Sequence, residues 1–77
     1  MLNWRSIAAE VCEARKVPLK EVFSPSRYAP TVAARHEIMW RLRRETKLSF
    51  YQIGDYLGRD HSTVLLSVRK WEGMVRE

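Results

Sequence analysis

The sequence predicts an all-α fold, one compact helical domain, and three observations carry that prediction. Apolar residues recur at steps of three and four along most of its 77 residues, the period of a helix with one buried face. Helix-start residues (Asn3, Thr31, Ser49 and Asp60) stand ahead of those runs. Gly58 falls between the last two runs, where a left-handed residue ends one helix before the next begins.

Taken in order, Trp4, Ile7, Ala8, Val11 and Ala14 form the inward stripe of a first helix capped by Asn3. Pro18 opens a short turn-like helix over 19–23, with Leu19, Val22 and Phe23 expected inward. Residues 24–30 hold two prolines and two serines and read as an ordered loop. Thr31 is expected to cap the next helix, which runs to about Thr46. Its inward positions are Val32, Ile38, Met39, Leu42 and the stem of Arg35. Arg41, Arg43, Arg44 and Lys47 crowd its carboxyl end, where the helix dipole favours cations.

The last third is the most informative. Ser49 followed by Gln52 reads as a capping box for a helix over 50–57. After Gly58 and Arg59, Asp60 caps a final helix reaching Glu72 or beyond, with Val64, Val68, Trp71 and Val75 as its buried stripe. A short helix, a tight glycine turn and a longer helix make a helix-turn-helix. In that geometry the first turn of the second helix reads base edges in the major groove. Here that turn is Asp60, His61, Ser62 and Thr63, four polar side chains that the core does not need.

Composition narrows the function. Lys and Arg number 14 against 9 Asp and Glu, a net charge of +5 and a pI near 9.9. The excess favours a polyanionic partner, of which nucleic acid is the commonest. The single cysteine, Cys12, rules out an intrachain disulfide and a Cys-based zinc site, and its small apolar neighbours predict a buried thiol. No catalytic constellation is visible: His36 and Glu37 lack a second histidine at metal-ligand spacing, and three glycines make no phosphate loop. No catalytic residue, metal or cofactor is therefore expected. Trp4, Trp40 and Trp71 fall on or beside apolar stripes, which predicts core or partner-facing roles. No apolar run approaches a membrane span, and the amino terminus has early acidic residues in place of a long apolar core. A cytoplasmic, nucleoid-associated protein is the expectation.

The run from Ser49 to Leu65, with Gly58-Arg59-Asp60-His61-Ser62-Thr63-Val64 at its centre and Val68-Arg69-Lys70 after it, resembles the DNA-binding domain (domain IV) of the bacterial replication initiator DnaA. Ala34-Arg35, Met39, the first helix and the turn over 17–23 fit the same pattern, so the resemblance covers nearly the whole chain. It implies an extended helix-turn-helix of the Trp-repressor and DnaA type, binding an asymmetric nine-base DnaA box as a monomer. It also implies base reading by Asp60, His61, Ser62 and Thr63, and a minor-groove arginine at Arg27.

Arg59 is expected as a phosphate clamp, and Ser49 and Lys70 complete the expected DNA-binding set. Three departures stand out. Gly58 occupies a turn where the family usually has two glycines, and Arg27 is the sole cation of a loop that is normally basic. Phe50-Tyr51 replaces a common Leu-Pro. The shortened turn is expected to alter how the reading helix is presented, and the thinned loop to weaken minor-groove binding. The nucleotide-binding and amino-terminal modules of the initiator are absent from these 77 residues. The expected function is sequence-specific binding of double-stranded DNA by a freestanding regulator of transcription or replication, with RNA polymerase or replication proteins as further candidate partners. The alternative is a protein-interaction module that keeps the helix-turn-helix shape with little DNA affinity, supported by the thinned loop and by exposed Trp40 and Trp71.

Overall fold

Five helices account for most of the chain in the computed structural model, which describes residues 3–75. They are α1 (Trp4–Arg15), α2 (Leu19–Val22), α3 (Ala29–Glu45), α4 (Phe50–Leu57) and α5 (His61–Val75). The central helix α3 packs against all four others, α4 packs against α5, and α1 against α2.

Local chemistry sets most of the helix ends. The Asn3 side chain accepts from the Ser6 N–H at 2.9 Å, capping α1 as expected. That helix stops at Lys16, which adopts a left-handed conformation (φ 58°). The strain of a non-glycine residue there, about 1–2 kcal/mol, is offset by hydrogen bonds closing the last turn, including Val17 N–H to the Cys12 carbonyl at 2.9 Å. Ile7, Ala8, Val11 and Cys12 are buried. Ala14, expected inward, is exposed: the buried arc runs toward Ala8 and Cys12 and leaves Ala14 at its edge. Burial pushes the Cys12 thiol above its ordinary range, which disfavours the thiolate.

In α2 only Val22 is buried. Leu19 and Phe23 remain partly exposed, because a single helical turn directs one side chain squarely at the core. Phe23 instead meets the Trp4 ring edge-on at 5.9 Å.

The start of α3 differs from expectation. It begins at Ala29, with Pro30 in the first turn, and Thr31 is buried in the helix instead of capping it. Proline is tolerated there because the first-turn N–H groups have no intrahelical acceptor. The buried side of α3 then reads Thr31, Ala34, Arg35, Ile38, Met39 and Leu42, an unbroken three-and-four spacing. Ile38, Met39 and Leu42 are wholly buried, each worth about 1.5–3 kcal/mol. The basic carboxyl end of α3 is largely occupied locally. Arg41 pairs with Glu45 at 2.8 Å and Glu10 at 3.1 Å, Arg43 donates to the Leu48 carbonyl at 3.0 Å, and Arg44 lies over Trp40.

Both halves of the Ser49–Gln52 capping box form: Gln52 N–H to Ser49 Oγ at 3.1 Å, and Ser49 N–H to Gln52 Oε1 at 2.9 Å. Val64, Val68 and Trp71 form the buried stripe of α5. Val75, expected on the same stripe, lies outside the residues whose side chains are described. Trp71 is only 8% exposed, which bears out its place on the buried stripe and removes the exposed Trp71 that the protein-interaction alternative drew on; Arg15 covers it at 5.2 Å. Trp40 is half-buried against the core.

Candidate nucleic-acid interface

The geometry of the α4–α5 pair rests on two glycines with different tasks. Gly58 ends α4 with φ 66°, a conformation that costs glycine nothing and an L-residue about 1–2 kcal/mol. Gly54, buried inside α4, faces the turn itself: a Cβ there would overlap the Arg59 carbonyl oxygen. The missing side chain lets the Arg59 N–H reach the Gly54 carbonyl at 2.8 Å. Three residues, Gly58 to Asp60, therefore suffice to connect the helices.

Asp60 begins α5 as expected. Its Oδ2 accepts from the Ser62 N–H at 3.1 Å, and its carbonyl accepts from the Val64 N–H at 3.1 Å. Oδ1 lies 3.8 Å from His61 Nδ1. The His61 ring stacks on Tyr51 of α4, with centroids 4.1 Å apart and planes 23° from parallel. Ser62 and Thr63 are exposed. The four residues expected to read bases thus form one contiguous, solvent-facing turn.

The remaining expected contacts are placed differently. The Arg59 guanidinium is not a free clamp. Nη1 donates to the Leu57 and Gly58 carbonyls at 3.2 and 3.3 Å, and Nη2 to the Ser24 carbonyl at 2.6 Å. Ser49 Oγ accepts the capping-box bond from the Gln52 N–H, which leaves its O–H as a donor. Arg27 and Lys70 are exposed and line a shallow groove between α3 and α5 with His36, Trp71 and Met74. At 1.5 Å per residue, Lys70 lies about 15 Å along the helix axis from Asp60. Burial, with Lys70 and Arg35 nearby, pushes the His36 pKa below its ordinary 6.5.

Three participants escaped sequence reasoning. Leu66 is 66% exposed and follows Ser62 by four residues, so it shares that residue's face with Arg69 and Lys70. Its apolar character argued for burial, and only the position of the buried stripe gave a contrary signal. Tyr51 was noted for its sequence difference, with nothing to pair it with His61. Arg35, expected to bury only its stem, buries its guanidinium too: Nε donates to the Val22 carbonyl at 2.9 Å, and Nη2 to the Ser24 and Ser26 carbonyls at 3.0 and 3.3 Å. The loop over 24–28 is held from beneath by those bonds and stapled from within by Ser24 and Ser26 side chains. Among the described residues, no three His, Cys, Asp or Glu side chains gather as a metal site, and no helix is long and apolar enough to cross a membrane.

A short capped helix, a three-residue turn and a second helix with an exposed polar start define a helix-turn-helix domain. The chain belongs to the family described as the bacterial DnaA protein helix-turn-helix, whose model matches residues 4–70. It is 43% identical over 67 residues to the chromosomal replication initiator protein DnaA of Thermomicrobium roseum, a match covering 86% of this chain and 14% of that protein. Against DnaA of Gloeobacter violaceus it is 41% identical over 63 residues, 80% of this chain and 14% of the relative. Against that of Mycoplasma pneumoniae it is 36% identical over 67 residues, 87% and 15% of the respective chains. The chain spans about one-seventh of the length of these relatives.

Proposed function

We propose that this chain binds double-stranded DNA sequence-specifically, laying the first turn of α5 in the major groove, and acts as a small regulator of transcription or replication at sites resembling the DnaA box. The observation that carries the reading is a capped, polar and exposed first turn on the second helix of a DnaA-family helix-turn-helix. Asp60 Oδ1 accepts from a cytosine amino group while Oδ2 keeps its cap; His61, Ser62 and Thr63 hydrogen-bond neighbouring base edges or phosphates. Leu66 supplies an apolar contact of the kind a thymine methyl offers. Arg27 and Lys70 meet the backbone or the adjacent minor groove. Arg59 contributes by holding the turn, and Ser49 by capping α4. The module works as a monomer without catalytic chemistry or cofactor, in the cytoplasm on the nucleoid, with RNA polymerase or replication proteins as candidate protein partners.

The test is a fluorescence-anisotropy titration against a DnaA-box duplex and a scrambled duplex at two salt concentrations. Tighter binding to the box at both salts is the expected result. Equal, steeply salt-dependent binding removes the DnaA box as target, and selection from random duplexes then separates another sequence from purely electrostatic attachment. Absence of binding to any duplex overturns the DNA reading in favour of a protein-interaction module.

A further inference from the structure

We infer that Tyr51 is a positioning residue for base recognition, its ring holding the His61 imidazole in the orientation that meets the DNA. The inference rests on the DNA-binding reading above. Tyr51 occupies the first turn of α4 and His61 the first residue of α5, so their stack bridges the starts of the two helices. The rings lie face to face at 4.1 Å, a separation reached because Gly54 lets the turn after α4 pack directly on that helix.

The stack is not core packing. Tyr51 is 64% exposed, and its neighbour Phe50 takes the inward role, packing on the core with the Arg43 guanidinium 4.5 Å from its ring. A large ring left at the surface over one imidazole has a local effect: it restricts the side-chain rotation of His61. The Asp60 carboxylate, 3.8 Å from Nδ1, borders the imidazole at its edge. Rotation about either side-chain bond of His61 sacrifices the stack, the carboxylate contact or both. An exposed histidine without such a partner samples several rotamers and loses them on binding, which weakens the complex. Tyr51 removes that loss in advance, and it does so for the sequence-reading part of the interface alone.

The experiment uses the full chain and the duplex it prefers, with a scrambled duplex as control. Tyr51→Ala is expected to weaken binding to the preferred duplex about tenfold while leaving scrambled-duplex affinity and the salt slope unchanged. Tyr51→Phe keeps the ring and restores the preference; Tyr51→Leu keeps apolar bulk and does not. In a double-mutant cycle, His61→Ala in the Tyr51→Ala background costs little further preference, because the two residues act as a unit. In the free protein, NMR is expected to find the His61 ring protons displaced upfield by the tyrosine ring current, and Tyr51→Ala to abolish the displacement. Additive losses, equal losses on both duplexes, or rescue by leucine would overturn the positioning role while leaving DNA recognition intact. A native protein that prefers no duplex overturns the DNA reading itself and the inference with it.

Discussion

Arg35 of α3 and Arg59 of the α4–α5 turn share one acceptor, the carbonyl oxygen of Ser24, at 3.0 and 2.6 Å. Two guanidiniums on one oxygen join the loop that carries Arg27 to the turn that presents Asp60. The arrangement has a cost: burial, with Arg59 alongside, pushes the Arg35 pKa below its ordinary value. Carbonyl groups from both α2 and the loop compensate by accepting its N–H groups.

Arg35→Met keeps the apolar stem and takes the side-chain donor from the Val22 and Ser26 carbonyls, while Ser24 keeps its bond from Arg59. Urea denaturation is expected to show a loss of about 3 kcal/mol. Arg59→Lys and Arg59→Ala should each cost about 1 kcal/mol, because an ammonium does not reproduce a fork spanning three carbonyls. Full recovery of both stability and DNA affinity by Arg59→Lys would assign the residue to phosphate binding instead.

Gly54→Ala places a methyl group on the Arg59 backbone carbonyl, and neither helix can yield without breaking the Arg59–Gly54 hydrogen bond. Thermal unfolding should register a loss of about 1–3 kcal/mol. Gly58→Ala meets open space but must adopt φ near 66°, so about 1–2 kcal/mol is expected. The pair separates steric from conformational demand: lowering φ-dependent strain with Gly58→Asn should recover part of the loss, whereas Gly54→Asn should recover none.

Ser49→Ala removes the side-chain acceptor of the capping box and should destabilise the protein by about 1 kcal/mol. Its salt slope and site preference for DNA are expected to stay unchanged, since a neutral hydroxyl releases no counterion and the contact that is lost belongs to the cap. A reduced slope or a changed site preference would return Ser49 to the list of direct contacts.

His36 makes stability depend on pH. Its folded-state pKa lies below 6.5, so the unfolded chain binds the proton more readily. The contribution is complete above the unfolded value and is lost as pH falls through 6.5 toward the lowered folded value. Urea midpoints measured between about pH 7 and 5 should decline on acidification, and His36→Gln should flatten that decline. An unchanged profile in the variant would place the sensitivity elsewhere.

Legibility followed the range of the interactions. Asn3, the Ser49–Gln52 box, Gly58 and Asp60 act over a few residues, so the residue types and their spacing sufficed to locate four helix starts or stops. Most of the inward stripes of α3 and α5 was legible for the same reason, because helical period is a local property; Val32, expected inward, is only half-buried, and Thr31 and Ala34 take the inward places beside it. The reading turn at 60–63 was marked by its place after a glycine turn, and its resemblance to a known family came from that one contiguous run.

What crossed the chain was decided by packing. Nothing near Arg35 announces that its guanidinium will be buried under carbonyls from 11 to 13 residues earlier, and nothing near Arg59 points to Ser24, 35 residues away. Thr31 looked like a cap because its hydroxyl suits one; Pro30, tolerated in the first turn, let the helix start at Ala29, three residues sooner than a Thr31 cap would place it. By itself the sequence determined helix identity, most caps and the polar turn, since each minimises a local free energy. Tertiary structure alone decided which cations are spent on carbonyls, which aromatic ring meets His61 and how closely two helices approach, because those depend on the mutual placement of elements that no local residue spacing encodes.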